Sequence, residues 1–325
     1  MAEPLRIGTR GSGLALAQTG QVAERLRELG HDVTVEIIST RGDDRRDLPL
    51  HTLGGDGIFV RELERALREG RIDLAVHSLK DLPTAPTAGL EIGCVPARAC
   101  PFDAFVGREG ESLVTLPAGA IVGTSSIRRV VQVRAVRPDL DVRPIRGNVD
   151  TRLRKFDAGE YRCLILAAAG LERLGLGHRI TGLLSPPEFW PAVGQGALAL
   201  QVRSDDAVTR AAITPLDDPA SHAAVIAERA CLAELSAGCL APVGGWGRSD
   251  DAGRLVLAAR VLEEHAGGVR HVTETAEVSL NAGDRIQAGE GGEKSVAVAL
   301  GQRVAALLLT AGAGPMLVRM RQPMG

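Results

Sequence analysis

The sequence predicts an α/β protein built as two lobes, followed by a smaller α+β domain. Three observations carry that expectation. Short apolar runs alternate with segments of helical periodicity along the N-terminal two thirds of the chain, the pattern of parallel sheets covered by helices. A design of apolar strand, Gly-Thr, small hydroxyl residues and helix occurs twice, at Ile7 to Ser12 and again from Ala120 to Ser126. After Asp218 the pattern changes to one helix, two alternating strands and a last apolar helix. At 325 residues the chain is long enough for two or three domains with cores of their own.

Leu5 to Thr9 reads as the first strand. Thr9-Arg10-Gly11-Ser12 hands it to an amphipathic helix from about Gly13 to Leu29, stopped by Gly30. A strand that passes to a helix through small polar residues leaves backbone N–H groups pointing outward, which suits an anion. Asp32 to Ser39 alternates as a strand does. Thr40 to Gly57 is polar, Gly-rich and aperiodic, and a loop of that length in a compact protein is a functional lid or a disordered segment. Ile58 to Glu69 follows as a helix with Phe59, Leu63, Ala66 and Leu67 on one face, and Asp73 to Val76 as the next strand. Gly89 to Val95 continues the first lobe, and the Pro-containing stretch Pro96 to Pro101 crosses to the second.

There Ala120 to Gly123 is a strand, and Thr124-Ser125-Ser126 opens a helix bearing Arg128, Arg129, Arg134 and Arg137. Leu140 to Ile145 is another strand, Asn148 is placed to cap a helix from Val149 to Ala158, and Tyr161 to Ala168 is a buried strand. Two lobes with matching helix starts would grip one anionic ligand between them. Pro191 to Gly196 is a tight loop before the strand Ala197 to Val202, which would return to the first lobe, as in hinged solute-binding folds. The expected domains are 1–96 with 197–216, 97–196 and 217–325. In the last, Asp218 to Leu235 is a helix, Leu255 to Glu263 and His271 to Val278 are strands, and Lys294 to Leu309 is the closing helix.

Aromatic residues make up 2% of the chain and apolar residues 45%, so the core must be aliphatic and base-stacking platforms lack the residues to build them. A formal net charge of −2 gives no basic field for nucleic acid. Met1 to Gly8 combines neither a basic start nor an apolar core, so no secretory signal is expected, and no run approaches the ~20 apolar residues of a spanning helix. The setting this predicts is the cytoplasm. Cys94, Cys100, Cys163, Cys231 and Cys239 form no Cys-x-x-Cys pair, which argues against a disulfide frame and a zinc site, and no metal is expected. Cys231 falls within a helix and reads as structural. Cys239, in the loop Ser236-Ala237-Gly238-Cys239, stands where backbone approaches a ligand and a thiol is reached.

The chemistry concentrates in Asp73 to Pro83. Ser78-Leu79-Lys80-Asp81 puts a hydroxyl, an ammonium and a carboxylate directly after a buried strand, and strand ends are where α/β proteins build sites. Adjacent in sequence, Lys80 and Asp81 need not pair with each other and would meet different charges on a ligand. Local sequence alone is equally compatible with a solvated turn closed by Pro83. The second concentration is of arginine. The 38 basic residues are 35 Arg and 3 Lys, and between Arg128 and Arg154 there are 8 Arg against 3 Asp, an excess of planar forks suited to carboxylates. A solvated helix face is the plain alternative, and Arg146, at a strand-to-helix corner in Arg-Gly-Asn, favours carboxylate binding over it.

These motifs assemble into a pattern that resembles one family. Leu5-Arg6-Ile7-Gly8-Thr9-Arg10-Gly11-Ser12, Ala75-Val76-His77-Ser78-Leu79-Lys80-Asp81-Leu82-Pro83, Val122-Gly123-Thr124-Ser125-Ser126-Ile127-Arg128-Arg129, Arg146-Gly147-Asn148-Val149-Asp150-Thr151-Arg152-Leu153, Val193-Gly194-Gln195-Gly196-Ala197 and Gly238-Cys239 stand in family order over essentially the whole chain. By them the chain resembles the porphobilinogen deaminases, also called hydroxymethylbilane synthases. The resemblance implies three domains around an active cleft, and a dipyrromethane cofactor joined by a thioether to Cys239. It implies a transferase that joins four porphobilinogen molecules head to tail with loss of ammonia, and releases linear hydroxymethylbilane for tetrapyrrole biosynthesis. By motif match Asp81 is the catalytic carboxylate. Ser78, Lys80, Thr124, Ser125, Ser126, Arg128, Arg129, Arg146 and Arg152 match cofactor-binding positions, and Arg10, Ser12, Gln18, Arg173 and Gln195 substrate-binding ones. The implied partner is porphobilinogen, with no nucleic acid and no membrane, acting on a monomer.

The chemistry agrees with that assignment. Loss of ammonia from an aminomethyl pyrrole leaves an electron-poor azafulvenium, which a carboxylate near the pyrrole N–H stabilises while relaying protons. Each pyrrole carries an acetate and a propionate, for which bidentate arginines are suited. Two departures from the family pattern stand out. Gly54-Gly55-Asp56-Gly57 has Asp56 where the family has Lys, so no lid cation carries over, and Ala97-Arg98-Ala99-Cys100-Pro101-Phe102-Asp103 lacks the family's charged run, so a salt-bridged hinge there does not carry over either. Outside the family, a two-lobed dicarboxylate-binding protein without catalysis would use the same lobes and helix starts, although the extra domain with its loop cysteine speaks against it.

Overall fold

The computed structural model describes residues 3–38, 60–236, 241–280 and 296–321. The chain divides into two units: residues 3–38, 60–99 and 197–223 form the first, and 100–196, 224–236, 241–280 and 296–321 the second. In the first, β1 (Leu5–Thr9) leads through Ser12 into α1 (Gly13–Glu28), and the Ser12 side chain accepts from the Ala15 N–H to cap it. Gln18, Thr19, Val22, Ala23 and Leu26 recur at helical spacing and form the buried face. Then come β2 (Val33–Ile37), α2 (Arg61–Arg68), β3 (Leu74–Ser78) and β4 (Leu90–Cys94).

The second unit contains β5 (Asp103–Val106), β6 (Ile121–Gly123), α3 (Ile127–Val136), β7 (Asp141–Arg143), α4 (Val149–Asp157), β8 (Cys163–Ala167), α5 (Ala168–Arg173) and β9 (Gly182–Leu184). Asn148 is the N-cap of α4, as expected, but its side chain makes no capping hydrogen bond. The strand expected at Ala197 to Val202 is β10 (Leu198–Arg203), and it inserts antiparallel between β3 and β4 of the first sheet.

The two sheets share one internal order. The first runs β2-β1-β3-β10-β4 and the second β7-β6-β8-β5-β9. In each, the first three strands are parallel and the fourth is antiparallel to both its neighbours. The first sheet is covered on both faces: Ile7, Leu74, Val76, Leu200 and Val202 pack with Val22, Ala23 and Leu26 of α1, while Leu63, Ala66 and Leu67 of α2 pack with Ile72 and Ala75. Burial on both faces accounts for the unbroken apolar runs of the central strands. Asp73 lies outside the strand expected to start with it. Its carboxylate takes Arg6 Nη2 at 2.7 Å and Arg203 Nη2 at 3.0 Å, tying the ends of β1, β3 and β10, and the strand runs on to Ser78.

After α6 (Ala207–Ile213) and α7 (Pro219–Glu234), an antiparallel sheet forms from β11 (Val243–Ser249), β12 (Arg254–His265) and β13 (Gly268–Ser279). Helix α8 (Val296–Leu308) covers β12 and β13 and buries Leu300, Val304 and Leu308. One expectation needs correcting here. The helical run Val296–Met320 is 25 residues long and apolar enough, by length and composition alone, to span a bilayer. In the fold it is a core-facing helix interrupted at Gly312, whose φ of 102° is not helical, before α9 (Gly314–Arg321).

Gly301 lets α8 meet α7 at backbone distance. A Cβ there would stand 2.3 Å from the Ala227 carbonyl oxygen and 2.9 Å from the Cys231 nitrogen. Gly20, in exposed α1 surface, has nothing within 4 Å of its Cβ position. Ala ordinarily stabilises a helix interior by about 1 kcal/mol over Gly. Gly20→Ala should therefore raise the free energy of unfolding by about that amount, whereas Gly301→Ala should lower it by about 1–3 kcal/mol, because the backbone of α7 must move. Urea unfolding of the two variants beside the parent checks the opposite signs.

Candidate active site

In the first unit the site residues gather at the C-terminal ends of β1 and β3, which are adjacent and parallel. Arg10 and Ser12 follow β1, and Ser12 is engaged as the α1 cap. Gln18 is buried on α1 and exchanges hydrogen bonds with Ser78: its Nε2 donates to Ser78 Oγ at 2.8 Å, and Ser78 Oγ lies 3.2 Å from Gln18 Oε1. A helix residue and a strand residue thus fix one another at the strand's end. Beyond Ser78 the chain turns through a 3₁₀ segment, Leu79–Asp81, pinned by the buried Leu79 and by the Leu79 N–H donating to the Ala197 carbonyl. Lys80 is half-buried and Asp81 exposed. Asp81 takes no hydrogen-bond or ion-pair partner among the described residues.

The neighbouring His77 faces the opposite side of β3. Its Nε2 lies 3.0 Å from Gln201 Oε1, Gln201 Nε2 donates to Glu64 Oε1 at 3.0 Å, and Thr87 Oγ1 donates to the same oxygen at 2.8 Å. Burial pushes the His77 imidazole down to about 4, so it is neutral near pH 7 and serves as a core hydrogen-bonding group.

In the second unit the corresponding strand ends carry Thr124, Ser125 and Ser126 after β6 and Arg146 after β7. Their side chains divide into two sets. Ser125 Oγ donates to the Ile145 carbonyl at 2.7 Å and accepts from the Ile145 N–H at 3.0 Å, so its hydroxyl is used to hold the end of the neighbouring strand. Thr124 is buried and accepts from the Ser126 N–H. Ser126 is the N-cap of α3 without a side-chain cap bond. Arg152 is half-buried on α4, donates Nε to the Gly147 carbonyl at 2.8 Å, and pairs with no carboxylate among the described residues. Burial, then the charge of Arg129, pushes its pKa down. Arg173 is similar: its Nη2 donates to the Gly196 carbonyl at 2.7 Å, burial pushes it down, and no described carboxylate pairs with it.

Arg128 and Arg129, expected to face a ligand's carboxylates, are instead buried against a carboxylate of the chain itself. Arg128 Nη1 stands 2.8 Å from Asp103 Oδ2 and also donates to the Trp190 carbonyl. Arg129 Nη2 stands 2.6 Å from Asp103 Oδ1, and its Nη1 donates to the Ile165 carbonyl at 3.0 Å. Gln195, expected to line the ligand site, is 1% exposed and donates Nε2 to Asp103 Oδ1 at 2.9 Å and to the Pro101 carbonyl at 2.8 Å. Others in the arginine-rich window are also taken up internally: Arg134 by Glu264, Arg137 by Asp139 and Arg143 by Asp141. The local excess of positive charge is therefore largely answered by carboxylates of the same unit. Cys239, and Asp56 with the expected lid Thr40 to Gly57, lie outside the described residues.

Asp103 is the residue the sequence reading passed over. It is a lone carboxylate heading the apolar run Ala104-Phe105-Val106, in the stretch from which no salt bridge carries over, and the structure places a buried one there. Burial by itself pushes the Asp103 carboxyl up, but the charges and hydrogen bonds of Arg128 and Arg129 outweigh it and hold the group well below the usual carboxylate range. Asp103→Asn leaves two buried guanidinium groups without a countercharge and should cost about 3–5 kcal/mol at pH 7. Because the folded-state pKa is depressed, the contribution of the carboxylate is complete above its unfolded value of about 4 and declines as pH falls below that. The gap between parent and Asp103→Asn, followed by denaturant unfolding from pH 7 to pH 3, should therefore stay constant down to about pH 5 and then narrow.

Comparison with known proteins bears on both units. Residues 5–211 match a family model described as porphobilinogen deaminase, dipyromethane cofactor binding domain, and residues 222–310 match the porphobilinogen deaminase C-terminal domain. A porphobilinogen deaminase of Desulforudis audaxviator is 46% identical over 323 residues, covering 99% of each chain. That of Syntrophobacter fumaroxidans is 42% identical over 311 residues, covering 95% of each. That of Roseiflexus castenholzii is 51% identical over 246 residues, 75% of this chain and 81% of the relative. Among solved structures, a periplasmic substrate-binding protein of an ABC transporter from Coxiella burnetii matches at 15% identity and a TM-score of 0.39, over 69% of this chain and 96% of that one, a likeness too slight to argue from.

Proposed function

The chain belongs to the porphobilinogen deaminase family, and from that premise we propose that Asp81 is its catalytic carboxylate and Cys239 the point of cofactor attachment. The activity is that of a transferase, hydroxymethylbilane synthase: four porphobilinogen molecules are condensed head to tail with loss of ammonia to give linear hydroxymethylbilane. Its cofactor is a dipyrromethane. The finer setting we propose is a cytoplasmic monomer of three domains, 1–96 with 197–216, 97–196 and 217–325, a division supported by the three separate sheets.

One observation carries the mechanism. Asp81 is an exposed carboxylate at a strand end, next to Lys80, with no protein partner among the described residues. A carboxylate already satisfied by an arginine has little left to offer a reacting group, whereas one held by a rigid turn and open on its reacting side stabilises positive charge as it develops. In this reading Asp81 accepts a hydrogen bond from the substrate pyrrole N–H and stabilises the ring as ammonia departs, and it takes up the proton that the joining pyrrole carbon must lose. The Gln18–Ser78 exchange holds the strand end from which the turn departs.

The donor set supports a ligand rich in carboxylates. Acetate and propionate groups need cationic or N–H donors not already neutralised by the chain, and Arg152 and Arg173 meet that requirement, with Ser126 offering a hydroxyl at a helix start. Arg10, Ser12, Lys80 and Arg146 complete the proposed anchors. Arg129 and Gln195 belong to the site as its inner supports, since their polar groups are engaged within the unit, while Arg128, which spends only its Nη1 on Asp103 and the Trp190 carbonyl, and the exposed Ser125 remain proposed cofactor anchors. When bound, the dipyrromethane supplies the tethered pyrrole end to which substrate units are added.

Two measurements test this reading. Asp81→Asn preserves shape but removes the charge, so the variant should fold as the parent does while turnover falls by about two orders of magnitude or more. Normal turnover in the folded variant would remove Asp81 from the chemistry. The denatured, freshly purified protein should weigh more than the bare chain by two linked pyrrole units, with the added mass on the peptide containing Cys239. Cys94, Cys163 and Cys231 should remain unmodified, because each is buried and its thiol is pushed up by burial. Added mass on another cysteine, or none at all, would contradict the attachment.

A further inference from the structure

Three consecutive residues of the loop before β10 are held by three different groups. The Gly194 N–H donates to Glu228 Oε2 at 2.6 Å, Gln195 Nε2 donates to Asp103 Oδ1 at 2.9 Å, and the Gly196 carbonyl accepts from Arg173 Nη2 at 2.7 Å. Glu228 lies on α7, the helix that precedes Cys239 in the sequence, and is 0% exposed. Its other oxygen, Oε1, accepts from the Gly247 N–H of β11 at 2.7 Å. A carboxylate in an apolar interior is costly unless its oxygens are well bonded. Here the two oxygens go to backbone amides of two segments far apart in sequence, the Gly194 loop and the C-terminal sheet.

The consequence lies two residues along. The Gln195 N–H also donates to the Ala192 carbonyl at 3.0 Å, so the backbone leading to the Gly196 carbonyl is tied at Gly194 and twice at Gln195, which restricts the torsions that orient that carbonyl. That carbonyl accepts from the Arg173 guanidinium, which makes no ion pair with a carboxylate among the described residues. We propose that Glu228 is a positioning residue for the reaction: through the 194–196 loop it sets the carbonyl that aims the Arg173 fork, so that α7 and a substrate-binding arginine share one rigid loop. The proposal rests on the reading of Arg173 as a substrate anchor given above. It extends that reading to a residue matching none of the motifs that identified the site, with no atom at the reacting centre.

The test is a double-mutant cycle on the cofactor-loaded enzyme, with porphobilinogen as the variable substrate. Glu228→Gln keeps the size of the side chain and one acceptor oxygen but turns an NH₂ toward one of the two amide N–H groups. It should fold and carry its cofactor by intact mass, and its KM should rise about tenfold with a smaller change in kcat, as when binding alone is weakened. In an Arg173→Lys background, where the fork is already lost, the same substitution should raise KM less than about twofold further. A KM equal to the parent's in folded Glu228→Gln overturns the proposal and leaves Glu228 a stability residue only. A tenfold penalty repeated in full on Arg173→Lys also overturns it, because Glu228 would then act by another route. Parental KM in Arg173→Lys alone would instead remove the anchor reading, and the proposal with it. If Glu228→Gln is not recovered folded, Glu228→Asp, which keeps the carboxylate and shortens its reach, is carried through the same cycle with the same criteria.

Discussion

A single buried carboxylate organises the second unit. Two guanidinium groups in the first turn of α3 are taken out of water, and neither can remain there without a countercharge, since the penalty for an isolated buried ion is several kcal/mol. Asp103 supplies it from the head of β5, while Arg128 Nη1 also donates to the Trp190 carbonyl and Arg129 Nη1 to the Ile165 carbonyl. One interaction thereby fixes the helix, the central strand β8, the edge-side strand β5 and the approach to the 191–196 loop. It also leaves one positive charge in excess, and that excess is felt at Arg152, whose pKa is lowered by burial and then by Arg129. The site's electrostatic character is set a layer beneath its surface.

The two aspartates that matter most make opposite use of the same side chain. Asp103 is fully buried and answered by two arginines, so its charge is spent on architecture. Asp81 is exposed at the end of a strand and has no partner among the described residues, so its charge remains available to a ligand. The difference follows from position in sheets of the same internal order. Asp103 opens an antiparallel strand inserted beside β8, where its side chain meets α3, while Asp81 follows the parallel strand β3 and turns out of the sheet. Parallel strand ends beside helix starts make the reactive edge in α/β proteins generally, and here both sheets place their hydroxyl and cationic residues along that edge.

The fold class was legible because it depends on local pattern. Leu5–Thr9, Gly13–Glu28 and Val149–Asp157 were readable from periodicity, and Ser78, Lys80 and Asp81 from their place after an apolar run. The arginines were not, because what decides their role is a partner remote in sequence: Arg134 meets Glu264, and Arg129 meets Asp103. Eight arginines against three aspartates is a true count of the window and a poor guide to its net field, since Asp103 and Glu264, which answer Arg128, Arg129 and Arg134, lie outside it. The same limit explains Gln195 and Ser125, polar residues in glycine-rich or hydroxyl-rich corners whose hydrogen bonds turn inward. The run at Val296–Met320 shows the converse limit: by length and composition it could cross a bilayer, and it is the packing of α8 against β12 and β13 that makes it the closing helix of the C-terminal sheet.

The internal pairing of most of these arginines sharpens the ligand chemistry rather than weakening it. Had all eight forks been open, the window would attract any polyanion, and selectivity would have to come from elsewhere. With Arg128, Arg129, Arg134, Arg137 and Arg143 paired within the unit, half-buried Arg152, and Arg173 outside the window, stand out as having no ion pair among the described residues, each bonded to a backbone carbonyl that limits its orientation. A guanidinium held by one nitrogen keeps its other donors for a ligand at a fixed angle, and its partial burial makes an unanswered charge more costly than at the surface. Such donors favour discrete carboxylates at set spacing, the pattern carried by acetate and propionate groups around a pyrrole ring, over a continuous string of phosphates. In the reading proposed above, the buried pairs of Asp103 would supply rigidity and Arg152 and Arg173 recognition, so the specificity of the site would depend as much on the arginines it has neutralised as on those it presents.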